Sequence, residues 1–159
     1  GGVDKNNFTE KVLDEIKTLN LPKNLLITVV MGGSNPYLEN VKSKVITLPY
    51  KTEIKVDTSN MAEIMANSDI AISAAGSTTW ELCCLGLPTI HIVVAKNQIT
   101  IAKSLEEYGA IILLKNIKNI SKVINDRLDW MRKVSNNARL VSDGLGIKRV
   151  MGLLMNKKL

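Results

Sequence analysis

Aromatic residues are scarce in this chain of 159 residues, which contains three Tyr, two Trp and one Phe. A folded core therefore has to be built from aliphatic side chains and Met. The chain also lacks any apolar run near the roughly 20 residues that a membrane-spanning helix needs. A secretory signal would require an apolar segment after its first residues, and none follows the first five residues of this chain. These absences predict one soluble, cytoplasmic domain over residues 1–159.

Cysteine and histidine are also rare. The two cysteines, Cys83 and Cys84, are adjacent, and neighbours in a helix point about 100° apart, so they are poorly placed to share a metal ion. We expect reduced thiols in a helix that faces the core, and no metal site. The one histidine, His91, lies inside an apolar run at 89–93. A structural position within a strand is favoured there over catalysis, because no Ser or Cys nucleophile accompanies it.

The charges do not favour a nucleic-acid partner. Lys and Arg exceed Asp and Glu by 21 to 15, which gives a net charge of +6 and a pI near 9.3. The basic residues are nevertheless spread along the chain, and no recognised nucleic-acid-binding motif accompanies them. A mildly basic surface also suits a domain that binds a phosphorylated small molecule. We therefore expect no nucleic acid as a partner.

Strand and helix patterns alternate along the chain. Apolar runs predict strands at 25–31, 69–74, 89–94 and 110–114, with weaker ones at 44–48 and 52–56. Residues 7–10 and 60–63 have the form of capping boxes, and further helices are expected at 78–85, at 98–108 and from 117 onwards. Helices between strands imply a parallel sheet covered on both faces. The predicted fold is α/β, a Rossmann-like doubly wound parallel sheet whose first strand is expected before Gly1 and Gly2.

The sharpest candidate for a binding loop spans residues 74–81. In an open parallel sheet, ligands bind outside the carboxyl ends of the strands. Ala75 and Gly76 let a ligand approach the backbone, and the N–H groups at the following helix start suit an anion. Neighbouring hydroxyl donors are Ser77, Thr78 and Thr79. Glu81 is placed to accept hydrogen bonds from a diol such as ribose. An ordinary helix capped by Ser77, with Glu81 near its dipole, explains the same spacing equally well.

Other loops are weaker candidates. Gly1 and Gly2 precede a predicted helix, but neither the dinucleotide-binding fingerprint nor a Walker A motif occurs in the chain. The backbone at 56–60 is placed to face a base edge. Asn97 and Gln98 follow a predicted strand, where they either bind sugar or phosphate or, for Asn97, cap the next helix. We assign no catalytic residue in this chain, because no convincing catalytic pair is present.

Several blocks of the sequence resemble one group of nucleotide-sugar proteins. They are residues 1–7, 60–63, 75–81 with 84–88, and 97–98. These blocks look like the C-terminal half of the UDP-sugar hydrolases of pseudaminic acid biosynthesis and of the related spore-coat polysaccharide proteins of the SpsG type. More distantly, the chain resembles the nucleotide-binding half of MurG-like glycosyltransferases with the GT-B fold. The specific part is the block Gly-Ser-Thr-Thr-Trp-Glu at 76–81.

The resemblance implies a domain that holds UDP and faces an N-terminal domain of the same protein, which this chain lacks. Carried over by position, residues 76–79 hold the diphosphate, Glu81 binds the ribose hydroxyls and the backbone around Val56 reads the uracil. The phosphate side is lined by Gly2, Val3 and Asp4, and the sugar is approached by Asn97 and Gln98. The resemblance further implies release of UDP from an amino-deoxy sugar by attack of water, without a metal or other cofactor. The family's proposed general base is a His in the N-terminal half, which His91 does not match.

Three functions stay open on this basis. The leading one is the UDP-sugar-binding half of a hydrolase, inactive or nearly so alone. The second is the donor-binding half of a glycosyltransferase with the GT-B fold. The third, of another class, is a non-catalytic interaction domain. Nucleotide binding separates the first two functions from the third.

Overall fold

Helices and strands alternate in the computed structural model, which describes residues 4–125 and 129–156. The predicted site residues Gly2 and Val3 lie outside these ranges. The strands are β1 (Leu26–Met31), β2 (Lys51–Val56), β3 (Ala71–Ala74), β4 (Thr89–Ile92) and β5 (Ile112–Leu114). The α-helices are α1 (Phe8–Lys17), α2 (Leu38–Ile46), α3 (Met61–Ala66), α4 (Thr78–Leu85), α5 (Ile99–Glu107), α6 (Ile120–Asn125), α7 (Asp129–Val141) and α8 (Gly146–Asn156). Short 3-10 turns, Lys96–Gln98 and Ile117–Asn119, precede α5 and α6.

The first of two compact units comprises Gly1–Met61 and Leu114–Leu128. Its strands β1 and β2 pair in parallel, and Met31 at the end of β1 lies opposite Val56 at the end of β2. Helices α1 and α2 pack together. The buried apolar cluster of this unit consists of Leu13, Val29, Met31 and Val41. This packing holds the carboxyl ends of β1 and β2 side by side at one edge of the unit.

The weak strand predicted at 44–48 is wrong, because α2 continues to Ile46. The β-branched residues of this stretch favoured a strand. The apolar residues at helical spacing are Leu38, Val41, Val45 and Leu48. Val41 is fully buried and belongs to the apolar cluster of this unit, and the other three residues pack against that cluster. Packing along one helix face therefore decides the structure of this segment.

The second unit comprises Ala62–Leu113 and Asp129–Leu159. Strands β3, β4 and β5 form its sheet in that order, and β3 pairs in parallel with β4. All four residues of β4 are buried, as expected of the central strand. Helix α4 packs against α7. The buried apolar cluster of this unit consists of Cys83, Leu105, Ala110, Ile111 and Ala138.

Helix α4 has the bounds that the sequence predicts, and it ends at Gly86, whose φ of 64° lies in the left-handed region. Cys83 on this helix is buried, as predicted, and Cys84 is exposed. The expectation that both thiols face the core is therefore wrong for Cys84. The two residues point in different directions because successive side chains are about 100° apart around a helix.

The predicted α/β fold class is confirmed by the alternation of helices with parallel-paired strands. Within the described residues the strands pair in two groups, β1 with β2 and β3 with β4 and β5, rather than in one continuous sheet. The strand expected before Gly1 stays a prediction. No helix in the described ranges is long and apolar enough to span a lipid bilayer.

Candidate functional site

At the start of α4, two backbone donors have no partner in the part of the chain that the structure describes. Ser77 occupies the N-cap position with φ −59° and ψ −32°, but its side chain accepts no capping hydrogen bond. The N–H groups of Thr79 and Trp80 donate to the carbonyls of Gly76 and Ser77, at 3.1 and 3.2 Å. Within the described residues, the N–H groups of Ser77 and Thr78 have no such partner. Together with the helix dipole, these two donors suit an anionic group such as a phosphate.

Ser77 and Glu81 share one side of α4, since residues four positions apart are neighbours on a helix surface. Both side chains are exposed. The Glu81 carboxylate makes no ion pair and accepts no hydrogen bond from the part of the chain that the structure describes. A structural explanation of this block depended on capping by the Ser77 side chain, which does not occur. The hydroxyl and the carboxylate are therefore both free to meet a ligand.

Gly76, in the loop before α4, lies near Gln98, in the turn before α5. The Gln98 side chain accepts a hydrogen bond from the Val94 N–H through Oε1 at 3.0 Å. Its Nε2 atom would lie 3.9 Å from a Cβ built on Gly76, an ordinary contact. Gly76 also has no left-handed φ. Neither the backbone conformation nor the neighbouring side chains therefore require a glycine at this position.

Thr79 departs from the predicted role of a hydroxyl donor to a diphosphate. Its side chain is fully buried, and Oγ1 has no hydrogen-bond partner in the described ranges. Ser77 is exposed and Thr78 half-buried. Ala75 is buried as well, and its N–H donates to the Ile92 carbonyl at 3.3 Å. The hydroxyls that a ligand can reach in this geometry are therefore those of Ser77 and Thr78.

The 3-10 turn Lys96–Gln98 carries the residues predicted to approach a sugar. Asn97 is exposed and caps neither this turn nor α5, whose N-cap positions are Ala95 and Gln98. Lys96 is also exposed, and its ammonium group makes no ion pair with any described residue. The sequence interpretation overlooked Lys96, although a cation directly before Asn97 and Gln98 favours an anionic ligand. Lys96 adds a free positive charge to the turn that contains Gln98.

The start of α1 differs from that of α4, because side chains of the chain itself accept hydrogen bonds from its first backbone N–H groups. The Asp4 carboxylate accepts hydrogen bonds from the first two backbone N–H groups of α1, both at 2.8 Å, and from the Thr9 hydroxyl at 2.9 Å. Asn7 accepts from the Glu10 N–H at 3.4 Å, which confirms the predicted N-cap. A phosphate cannot use these donors while Asp4 occupies them. The structure thus makes Asp4 a helix cap, and its contact with a nucleotide stays a prediction.

Val56 is the last residue of β2, and its side chain is 40% exposed. The following residue, Asp57, donates its N–H to the Met31 carbonyl at 3.0 Å. Successive residues of a strand direct their backbone groups to opposite sides, so the N–H and C=O of Val56 point away from β1. No strand of the same sheet pairs with that edge of β2 in the described residues. A donor and an acceptor side by side suit the edge of a base, and the contact with uracil stays a prediction.

His91 occupies the predicted position inside a strand, β4, and is fully buried. Its Nδ1 atom lies 3.2 Å from the Ser73 carbonyl, and Nε2 has no partner within the described ranges. Burial lowers the pKa of His91, against a smaller opposing effect of the Ser73 contact. A buried, neutral imidazole cannot reach a ligand as a general base. No group of three or more potential metal ligands occurs in the described part of the chain.

The chain matches the glycosyltransferase family 28 C-terminal domain over residues 1–143. Spore coat polysaccharide biosynthesis protein SpsG of Bacillus subtilis (strain 168) is 27% identical, in a match that covers 98% of this chain and 48% of SpsG. UDP-N-acetylglucosamine--N-acetylmuramyl-(pentapeptide) pyrophosphoryl-undecaprenol N-acetylglucosamine transferase of Helicobacter pylori (strain G27) is 36% identical over 52% of this chain and 25% of that enzyme.

A solved structure shares the fold. The crystal structure of Acinetobacter baumannii MurG matches with a TM-score of 0.79 at 19% identity, over 98% of this chain and 47% of MurG. The chain therefore spans about half the length of SpsG and of this MurG. These matches confirm the predicted likeness to SpsG-type proteins and MurG-like glycosyltransferases, but they do not show the UDP-sugar hydrolase family. Because the family match covers residues 1–143, the chain belongs to the glycosyltransferase family 28 C-terminal domain family.

Proposed function

We propose that this domain binds the UDP-sugar donor of a glycosyltransferase with the GT-B fold. The observation that carries the proposal is the start of α4, where two N–H groups have no partner among the described residues and the Ser77 hydroxyl and Glu81 carboxylate are exposed. Backbone donors at a helix start fit a diphosphate, and a carboxylate one turn further accepts hydrogen bonds from ribose hydroxyls. The Helicobacter pylori relative, an N-acetylglucosamine transferase that uses UDP-N-acetylglucosamine, supports this assignment.

Each predicted site residue then has a task. Gly76 admits the diphosphate, which Ser77 and Thr78 bind, while the buried residues Ala75 and Thr79 hold the loop in place through their N–H bonds to the Ile92 and Gly76 carbonyls. Glu81 binds the ribose and the Val56 backbone meets the uracil. The remaining predicted contacts are Asn97 and Gln98 to the sugar, and Gly2, Val3 and Asp4 on the phosphate side. Lys96 joins them as a cation near the diphosphate or the sugar.

The chemical contribution of this domain is stabilisation of the leaving group. Negative charge builds on the diphosphate when the bond from the anomeric carbon to its phosphate oxygen breaks. N–H groups that are already fixed at a helix start stabilise this charge without reorganisation. We expect the base that activates the acceptor in the other half of the protein, since buried His91 cannot reach a ligand. The domain alone is therefore expected to bind the donor and not to turn it over.

Transfer is better supported than hydrolysis, because the family and the Helicobacter pylori relative are glycosyltransferases. Hydrolysis of an amino-deoxy UDP-sugar in pseudaminic acid or surface polysaccharide biosynthesis stays a prediction from the sequence resemblance. The complete protein distinguishes the two chemistries. A hydrolase releases UDP and free sugar from the donor in water alone. A transferase releases UDP efficiently only when an acceptor alcohol is added, and the sugar is then bonded to the oxygen of that acceptor.

Two variants of Ser77 test the site by isothermal titration calorimetry with UDP. Ser77→Ala removes the hydroxyl and keeps the N–H, so binding should weaken by about 1 kcal/mol. Ser77→Pro also removes the N–H; a φ of −59° fits proline, and the lost N–H has no partner in the described chain. Ser77→Pro should therefore fold and bind UDP at least about tenfold more weakly than wild type.

Glu81 provides an independent test with a matched control. Glu81→Gln should weaken UDP binding, since a charged acceptor is lost, and Glu107→Gln on the exposed side of α5 should not. Binding of UDP without a response to CMP or AMP supports the proposal. A wild-type chain that binds no nucleotide would refute it and favour the interaction domain. Unchanged UDP affinity in both Ser77→Pro and Glu81→Gln would place the nucleotide elsewhere.

A further inference from the structure

One carboxylate joins the loops that follow β1 and β2. The Gly33 N–H donates to Asp57 Oδ1 at 2.7 Å, and the Asp57 N–H donates to the Met31 carbonyl at 3.0 Å. Asp57 thus holds β1 through its backbone and the loop after β1 through its side chain. Gly33 and Asp57 are 24 positions apart in the sequence. They meet at the carboxyl edge of the sheet, directly after Val56 ends β2.

The backbone conformation of Asp57 belongs to this arrangement. Asp57 has a φ of 47°, in the left-handed region that Asp and Asn adopt more often than other non-glycine residues. A Cβ built on Gly33 would collide with Asp57 Oδ2, so glycine leaves the room that the carboxylate needs. Asp57 is also exposed, and core packing does not hold it in place.

We infer that Asp57 is a positioning residue that sets the Val56 backbone for recognition of the uracil base; this inference rests on the proposed function. The N–H and C=O of Val56 point away from β1, and their direction depends on how the chain leaves β2. Asp57 fixes that exit through its left-handed turn and its bond to Gly33. Asp57 acts through Val56 and does not contact the phosphates. Its loss should therefore reduce selectivity for the base and spare affinity for the phosphates.

Two variants at position 57 test the effect of the side-chain oxygen separately from the effect of the backbone conformation. Asn and Gly both adopt the left-handed region readily, but only Asn keeps an oxygen that accepts from Gly33. In calorimetric titrations of the full chain, Asp57→Asn should bind UDP within about threefold of wild type, and Asp57→Gly about tenfold more weakly. Gly33→Ala, whose methyl group displaces the carboxylate, should resemble Asp57→Gly.

Selectivity provides the readout that general loss of structure would not give. The ratio of UDP to ADP affinity should fall in Asp57→Gly and Gly33→Ala, while affinity for inorganic pyrophosphate stays within about twofold of wild type. Wild-type UDP affinity and selectivity in Asp57→Gly would overturn the positioning role and leave donor binding intact. Equal losses for UDP and pyrophosphate, not rescued in Asp57→Asn, would also overturn it. A wild-type chain that binds no UDP would overturn the proposed function and this inference together.

Discussion

Replacing Gly76 with Ala should weaken UDP binding while the fold stays intact or becomes slightly more stable. The added Cβ would meet only the Gln98 Nε2 atom, at 3.9 Å, which is an ordinary contact. Gly76 does not have a left-handed φ, so Ala fits the backbone. Ala also restricts the unfolded chain more than Gly does. The free energy of unfolding should therefore rise by about 0.4–1 kcal/mol.

The loss of binding follows from the position of the added methyl group. Gly76 directly precedes Ser77 and Thr78, whose N–H groups are unpaired within the described residues. A methyl group at this point takes up space that a diphosphate needs to reach these donors. Loss of one hydrogen bond to a charged group weakens an interaction by about 1.5–3 kcal/mol. The dissociation constant for UDP should then increase by roughly 10- to 150-fold.

Gly86, at the other end of α4, provides the matched control. Its φ is 64°, and a Cβ there would collide with the Arg139 side chain. Gly86→Ala should therefore lower the free energy of unfolding by about 1 kcal/mol or more, with unchanged UDP affinity of the folded protein. Urea unfolding and isothermal titration calorimetry measure the two effects separately. UDP affinity within about twofold of wild type in Gly76→Ala would refute the placement of the diphosphate at this loop.

Other variants test the cation, the helix cap and the buried histidine. Lys96→Ala should weaken UDP binding about tenfold at low ionic strength and less at high salt, which calorimetry at two salt concentrations checks. Asp4→Ala removes three hydrogen bonds at the start of α1, so urea unfolding should show a loss of about 1–2 kcal/mol. Stability should fall as the pH drops below 6.5, because the unfolded chain then binds a proton that buried His91, with its lowered pKa, does not. Urea unfolding across this pH range should show a smaller fall in His91→Gln, and an identical fall would contradict the assignment.

The bounds of a helix can be predicted from the sequence when the residues that start or end it are close in the chain. Asn7 and Glu10 are three residues apart, and the structure shows the expected bond at the start of α1. Helix α4 is equally predictable, because Gly86 and Pro88 end it with short-range signals. The error at 44–48 has the opposite cause, since only packing of the α2 face against β1 and β2 shows that these residues are helical.

The chemistry of the candidate site depends on contacts that no local pattern encodes. Ser77, Thr78 and Thr79 offer the same functional group, yet only Thr79 is fully buried, on the α4 face that also carries Leu82 and Cys83. The direction of the helix face relative to the core decides this, and it follows from tertiary packing. The bond between Gly33 and Asp57 likewise joins residues that are far apart in the sequence.

The two helix starts differ in whether side chains of this chain cap them. Asp4 and Asn7 satisfy the N–H groups of α1, so this helix start is complete without a ligand. At α4 the Ser77 side chain makes no capping hydrogen bond, although such a bond typically stabilises a helix by about 1 kcal/mol. Ser is among the best capping residues, so the residue type at position 77 does not explain why the capping bond is missing. We attribute its absence to the geometry of the loop. Because the donors at α4 have no partner within the described residues and Gly76 leaves space beside them, this helix start fits the proposed phosphate site, whereas the capped start of α1 does not.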